Sequence, residues 1–208
     1  MSILNQLSSH VGDRSEYSNH KVVVQCLEDP DLLDEIAKGL KLPDAALVGD
    51  CAEVMTKVAE ENPELVVPYT EALSALLLHK STRVRWEATQ ALSRVASFTP
   101  VTIAPLLPIL MDKIRTDASV IVRDYATDTI ANYASTDSAA AESAYPLLKE
   151  TLTLWNGKQA GHALHGLAQL ARLVPKFQGE LRQIAEDYSH SSRGVVRKAA
   201  KALAKALD

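Results

Sequence analysis

The chain has 208 residues, a net charge of −4 and a pI near 5.9, with 47% apolar and 23% charged side chains. That composition excludes a disordered chain, an uncharged membrane span of roughly 18 residues and a surface given over wholly to nucleic acid or anionic lipid. Scarce glycine and abundant alanine and leucine favour helices, while two cysteines, Cys26 and Cys51, and a start that is neither basic nor apolar predict a reducing, cytoplasmic location.

Residues 1–28 show no clear period and are expected to form an irregular N-terminal cap. From there the chain reads as helical pairs: about 30–40 with 44–59, 64–79 with 82–97, 101–115 with 118–134, 138–155 with 158–173, and 176–188 with 192–207. In 82–97 the apolar residues Val84, Ala88, Ala91, Leu92 and Val95 follow the i, i+4, i+7, i+8 pattern of one buried face, and the partner segment buries Leu65, Leu73, Leu76 and Leu77. Pro63, Pro100 and Pro175 open first helices, where a missing N–H is harmless. Asn62, Thr99 and Asp137 are the candidate N-caps. A second series, Pro68, Pro105 or Pro108, and Pro146, falls inside first helices and should bend them.

Val84-Arg85, Val122-Arg123 and Val196-Arg197 are 38 and 74 residues apart. The small residue three positions later recurs as Ala88, Ala126, Ala163 and Ala200, and Cys51 continues the row backwards. Two residue types with one period of 37–38 define repeats at about 30–60, 63–98, 100–135, 138–173 and 175–207 within a single domain, 1–208.

A helical pair of this length, with proline in the first helix and Val-Arg followed by a small residue in the second, resembles the HEAT-repeat family of armadillo-like solenoids over roughly 30–208. The resemblance implies an all-α, right-handed α-α superhelix (solenoid) of about five HEAT-like pairs plus the cap. It also implies a turn aspartate, Asp117, partnered by an arginine such as Arg85 or Arg123. The fourth copy departs from the pattern, with Ala160 in place of the arginine.

Stacked pairs leave a concave surface lined by second helices. The wheel places Trp86, Gln90 and Ser93 on that face, then Asp124, Asp128 and Ala131, then Gly161, His165 and Ala168, then Lys198, Ala202 and Lys205. The favoured function is therefore a non-catalytic scaffold or adaptor holding a protein partner, with Trp86, Gln90, Asp124, Asp128, His165 and Lys198 as contacts; tryptophan is a frequent interface anchor. Residues 151–208 carry nine basic and four acidic side chains, against five and eleven in 1–60. The alternative is thus phosphate-backbone binding through Arg193, Arg197, Lys198, Lys201 and Lys205, with Lys158 and Arg83 on the same edge. Against it stand the acidic pI and the reading of Lys198, Lys201 and Lys205 as the solvated side of a helix that buries Val195, Ala199, Ala202 and Leu203.

An enzyme is the third reading, because the resemblance extends to DNA glycosylases and bilin lyases. Trp86 with Asp124 or Asp128 is the only approximation to such a site, its surroundings are acidic, and no catalytic motif accompanies it. No catalytic residue, cofactor or metal is expected. His162 and His165 lack a further ligand at zinc spacing and read as a small polar patch beside Gly161 and Gly166, whose bare backbone admits a close neighbour. Cys26 and Cys51 read as buried hydrophobes, and Trp155, before Asn156-Gly157, as packing over a turn.

Overall fold

The computed structural model describes residues 2–13, 15 and 17–208, and among these every regular element is helical. Two compact units divide the chain, Met1–Thr99 and Pro100–Asp208.

In Met1–Thr99 the cap is more regular than its sequence suggests. A 3-10 turn, Ile3–Gln6, and a single α-turn, Ser8–Val11, lead to a full helix, α1 (Tyr17–Glu28). Its buried residues Asn19, Val22, Val23 and Cys26 have helical spacing, and the polar Asn19 in the stripe disguises the period. A 3-10 turn at Pro30–Leu32 precedes α2 (Leu33–Gly39). Asp44 accepts from the Ala46 N–H to cap α3 (Ala45–Glu61), which packs on α1, α2 and the later α5 (Thr82–Val95) and buries Leu47, Val48, Cys51, Ala52, Val54, Met55 and Val58. The expected continuous helix over 64–79 is broken. Only Thr70–Ala75 (α4) is α-helical there, between 3-10 turns at Pro63–Leu65, Val67–Tyr69 and Leu76–Leu78. Two prolines five residues apart remove the N–H groups that an unbroken ladder needs, so the chain tightens into i→i+3 turns. Leu73, Leu76 and Leu77 are buried as expected.

In Pro100–Asp208 the same tightening occurs at Pro105, after which α6 (Leu107–Thr116) begins with Pro108 in its first turn. It is followed by α7 (Val120–Ala134), α8 (Ser138–Thr151), α9 (Ala160–Leu170), α10 (Gln178–Ser189) and α11 (Gly194–Ala206). Asp137 caps α8 through the Ala140 N–H at 2.8 Å, and Pro146 is accommodated inside that helix. The second helices α7, α9 and α11 lie in one layer, α7 on α9 and α9 on α11, with α6, α8 and α10 packed behind.

The row of small residues explains the closeness of these layers. Cys51, Ala88, Ala126, Ala163 and Ala200 are all 0% exposed, so backbones approach where a larger side chain would hold them apart. Gly166 marks the tightest approach: a Cβ there would stand 2.7 Å from the Ala131 Cβ and 3.0 Å from Leu148. The close neighbour expected at this glycine is thus a packed helix.

The Val-Arg arginines share one task, donating to the carbonyls of the turn that joins each pair. Arg85 reaches His79 O (2.8 Å) and Lys80 O (3.1 Å), and Arg123 reaches Asp117 O (2.5 Å). Arg197 reaches Ser191 O (2.7 Å) and Ser192 O (2.9 Å). Where Ala160 lacks the arginine, Arg193 does the same from the following copy, donating to Gly157 O (2.5 Å) and Lys158 O (3.2 Å).

Candidate functional site

With the apolar sides of α7, α9 and α11 committed to the core, their remaining side is polar. On α7, Asp124 and Asp128 are one turn apart and half-buried. His162, at the start of α9, sits between them: Nδ1 is 2.7 Å from Asp128 Oδ1 and Nε2 is 3.8 Å from Asp124 Oδ2. Gln159, fully buried, donates from Nε2 to Asp124 Oδ1 at 3.1 Å, and its own Oε1 has no partner. Farther along the same two helices Gln169 Nε2 donates to Asn132 Oδ1 at 3.3 Å. The hydrogen bond His162 donates to Asp128, against the opposing effect of burial, holds its imidazole above the ordinary value. Burial raises Asp124 despite His162 and Gln159 beside it. His165 and Lys198, also expected on this face, are exposed.

The corresponding side of α5, in Met1–Thr99, is more closed than the wheel implies. Trp86 is half-buried and its Nε1 donates to Gln90 Oε1 at 3.1 Å. Gln90 is only 7% exposed, its Nε2 donating to Glu60 Oε1 at 2.8 Å, and Ser93 is buried as well. The face expected to be open at Gln90 is covered because α3 lies against it and supplies Glu60.

The basic end divides in two. Arg193 and Arg197 are engaged by turn carbonyls, whereas Lys198, Lys201 and Lys205 are exposed with no ion pair among the described residues. Val195, expected in the core, is 67% exposed. It lies in the first turn of α11 beside Gly161, on the outer side of a helix whose next residue, Val196, is the one that enters the core.

The other residues singled out have structural surroundings. Cys26 and Cys51 are fully buried, and burial pushes their thiols to about 11 and about 12, far from any reactive thiolate. Trp155 donates to Ile114 O at 2.8 Å, and the Arg123 guanidinium stacks 4.0 Å from its ring. Among the described residues no group of three or more His, Cys, Asp or Glu is arranged to hold a metal ion, and no helix is long and apolar enough to cross a membrane.

His162 and Gln159 were not assigned to the site by sequence reasoning. The signal that would have found them is the offset between repeats: His162 follows Asp128 by 34 residues and Gln159 follows Asp124 by 35.

No family model and no curated protein matches the chain. Solved structures do. The designed armadillo repeat protein YIII(Dq)4CqI aligns over 99% of this chain and 98% of its own with a TM-score of 0.75 at 19% identity. Another, YIII(Dq.V1)4CPAF in complex with peptide (KR)4, covers the same shares at 0.76 and 21%. The fold is that of an armadillo-like α-solenoid. An engineered protein, target OR329, matches over 100% of this chain and 97% of its own at 0.69 and 18%, in keeping with an all-α repeat solenoid.

Proposed function

We propose that the chain is a non-catalytic binding scaffold that holds an extended, cation-bearing segment of a protein partner along its second-helix faces. The observation that carries this reading is the pair Asp124 and Asp128, half-buried one turn apart with the His162 imidazole already between them. Asp124, held by Gln159, and Asp128, held by His162, form a positioned acceptor for an arginine or lysine side chain. His165 and Lys198 flank the same layer. In Met1–Thr99, taken by itself, Trp86 beside Gln90 is a candidate aromatic contact. The solved armadillo design bound to (KR)4 supports the choice of a basic segment.

Fluorescence anisotropy with a labelled (Lys-Arg)4 peptide tests it. Wild type is expected to bind, and Asp124→Asn with Asp128→Asn to weaken binding at least about tenfold, the effect of losing roughly 1.4 kcal/mol. Equal affinity of the two proteins would remove this face from the proposal.

A second reading, phosphate-backbone binding, is favoured by Lys198, Lys201 and Lys205, exposed and without acidic partners among the described residues. Retention of a duplex DNA at low salt, lost steeply as salt rises, would support it.

A further inference from the structure

The imidazole of His162 faces a carboxylate with each ring nitrogen. A neutral imidazole has one donor and one acceptor and carries no charge; the protonated ring donates to Asp128 at 2.7 Å and attracts Asp124 across 3.8 Å. Two carboxylates about one imidazole make the arrangement of a cation site with an internal occupant. Gln159 strengthens that view from behind: its fully buried amide keeps its donor on Asp124 while its carbonyl goes without a partner, so Asp124 is held in place at the expense of Gln159.

The charged surroundings of the ring are simple. From α7 it faces Asp124 and Asp128, which are the charged groups that act on it. The next titratable side chain on α9 is the exposed His165, and Lys198 on α11 is exposed. Neither α8 nor α11 brings a charge that bears on the imidazole.

Resting on the docking reading above, we infer that His162 is a built-in counter-cation that a basic side chain of the bound segment must replace, so that capture strengthens as the imidazole loses its proton. With His162 protonated, one of the two carboxylate charges is offset from within and an incoming guanidinium meets a like charge. With it neutral, Asp124 is left facing an uncharged ring and takes up the ligand's charge in its place. Arginine and lysine in the ligand stay charged throughout the window, so the part of the slope that His162→Gln removes belongs to histidine.

The experiment combines anisotropy with labelled (Lys-Arg)4 at pH 5.5 and 8.0 and NMR titration of the His162 ring in the intact chain, with and without peptide. Wild type is expected to bind several-fold more tightly at pH 8.0. His162→Gln should bind with nearly equal affinity at both pH values and more tightly than wild type at 5.5, while His165→Gln keeps the wild-type slope. By reciprocity, saturating peptide should lower the pKa of His162 in wild type, a readout that needs no variant to fold. Binding with the wild-type slope preserved in His162→Gln, or a His162 titration that peptide does not move, overturns the gate and leaves docking intact. Absence of binding by wild type and His162→Gln at both pH values overturns docking and the gate with it.

Discussion

Glu87 shows what a single side chain costs when the fold buries it. It is 7% exposed, and burial, reinforced by Glu53 and opposed by Arg83, pushes its carboxyl up to about 7. Between its ordinary value of 4.5 and 7 the folded chain holds a proton that the unfolded chain has released, so this residue's contribution falls as pH rises through that window and stays low above it. Glu87→Gln is therefore expected to stabilise the protein by up to about 3 kcal/mol at pH 8 and to change little near pH 4.5, as read by urea unfolding at the two values. Asp50 has the opposite sense. Burial raises it, but hydrogen bonds from Ser9, Arg83 and Asn19 outweigh burial and leave it below the ordinary carboxylate value. Its contribution is present above 3.8 and lost as pH falls through the lowered value. The same logic applied to the raised His162 gives stability present below 6.5 and lost as pH rises through its folded value.

At the level of elements, the turn between α8 and α9 stores backbone strain. Trp155 (φ 52°), Asn156 (φ 56°) and Gly157 (φ 72°) are all left-handed, a conformation that costs a bulky L-residue roughly 1–2 kcal/mol. The strain is offset by the Trp155 hydrogen bond to Ile114 O and its stacking on Arg123, and the turn carbonyls are taken by Arg193. Gly157→Ala is expected to cost about 1 kcal/mol and lower Tm by roughly 2–4 °C in a calorimetric scan. Arg193→Ala should cost as much or more, since two turn carbonyls lose their donor at once, while leaving the helices themselves intact by circular dichroism.

For the whole molecule, one register position separates α11 from the other second helices. Ala52, Thr89, Thr127 and Leu164 are fully buried there, whereas Lys201 is exposed; four residues on, Thr56, Ser93 and Ala131 are buried and Lys205 is exposed. Lysine at a stacking position keeps that face solvated and disfavours contact with another apolar helix. Lys201→Leu combined with Lys205→Ala is expected to promote concentration-dependent association beyond that of wild type, measured by size-exclusion chromatography with light scattering. This gives the basic end a structural reason independent of any anionic ligand.

The sequence by itself determined the all-α repeat: the small residue at Ala88, Ala126, Ala163 and Ala200, the Val-Arg pairs and the prolines report burial and turns that recur within each helical pair, and such local constraints leave a period in the chain. Only the tertiary structure decided that Gln90 is closed off by Glu60, that Arg193 serves the turn Ala160 cannot, and that His162 sits between Asp124 and Asp128. Each of those contacts joins one helical pair to the next across 30 to 36 residues. Composition and helical period fix which side a residue occupies. Which side chain of the neighbouring helix it meets depends on the axial offset between two packed helices, a quantity set by small residues such as Gly166 and visible only once the helices are in contact.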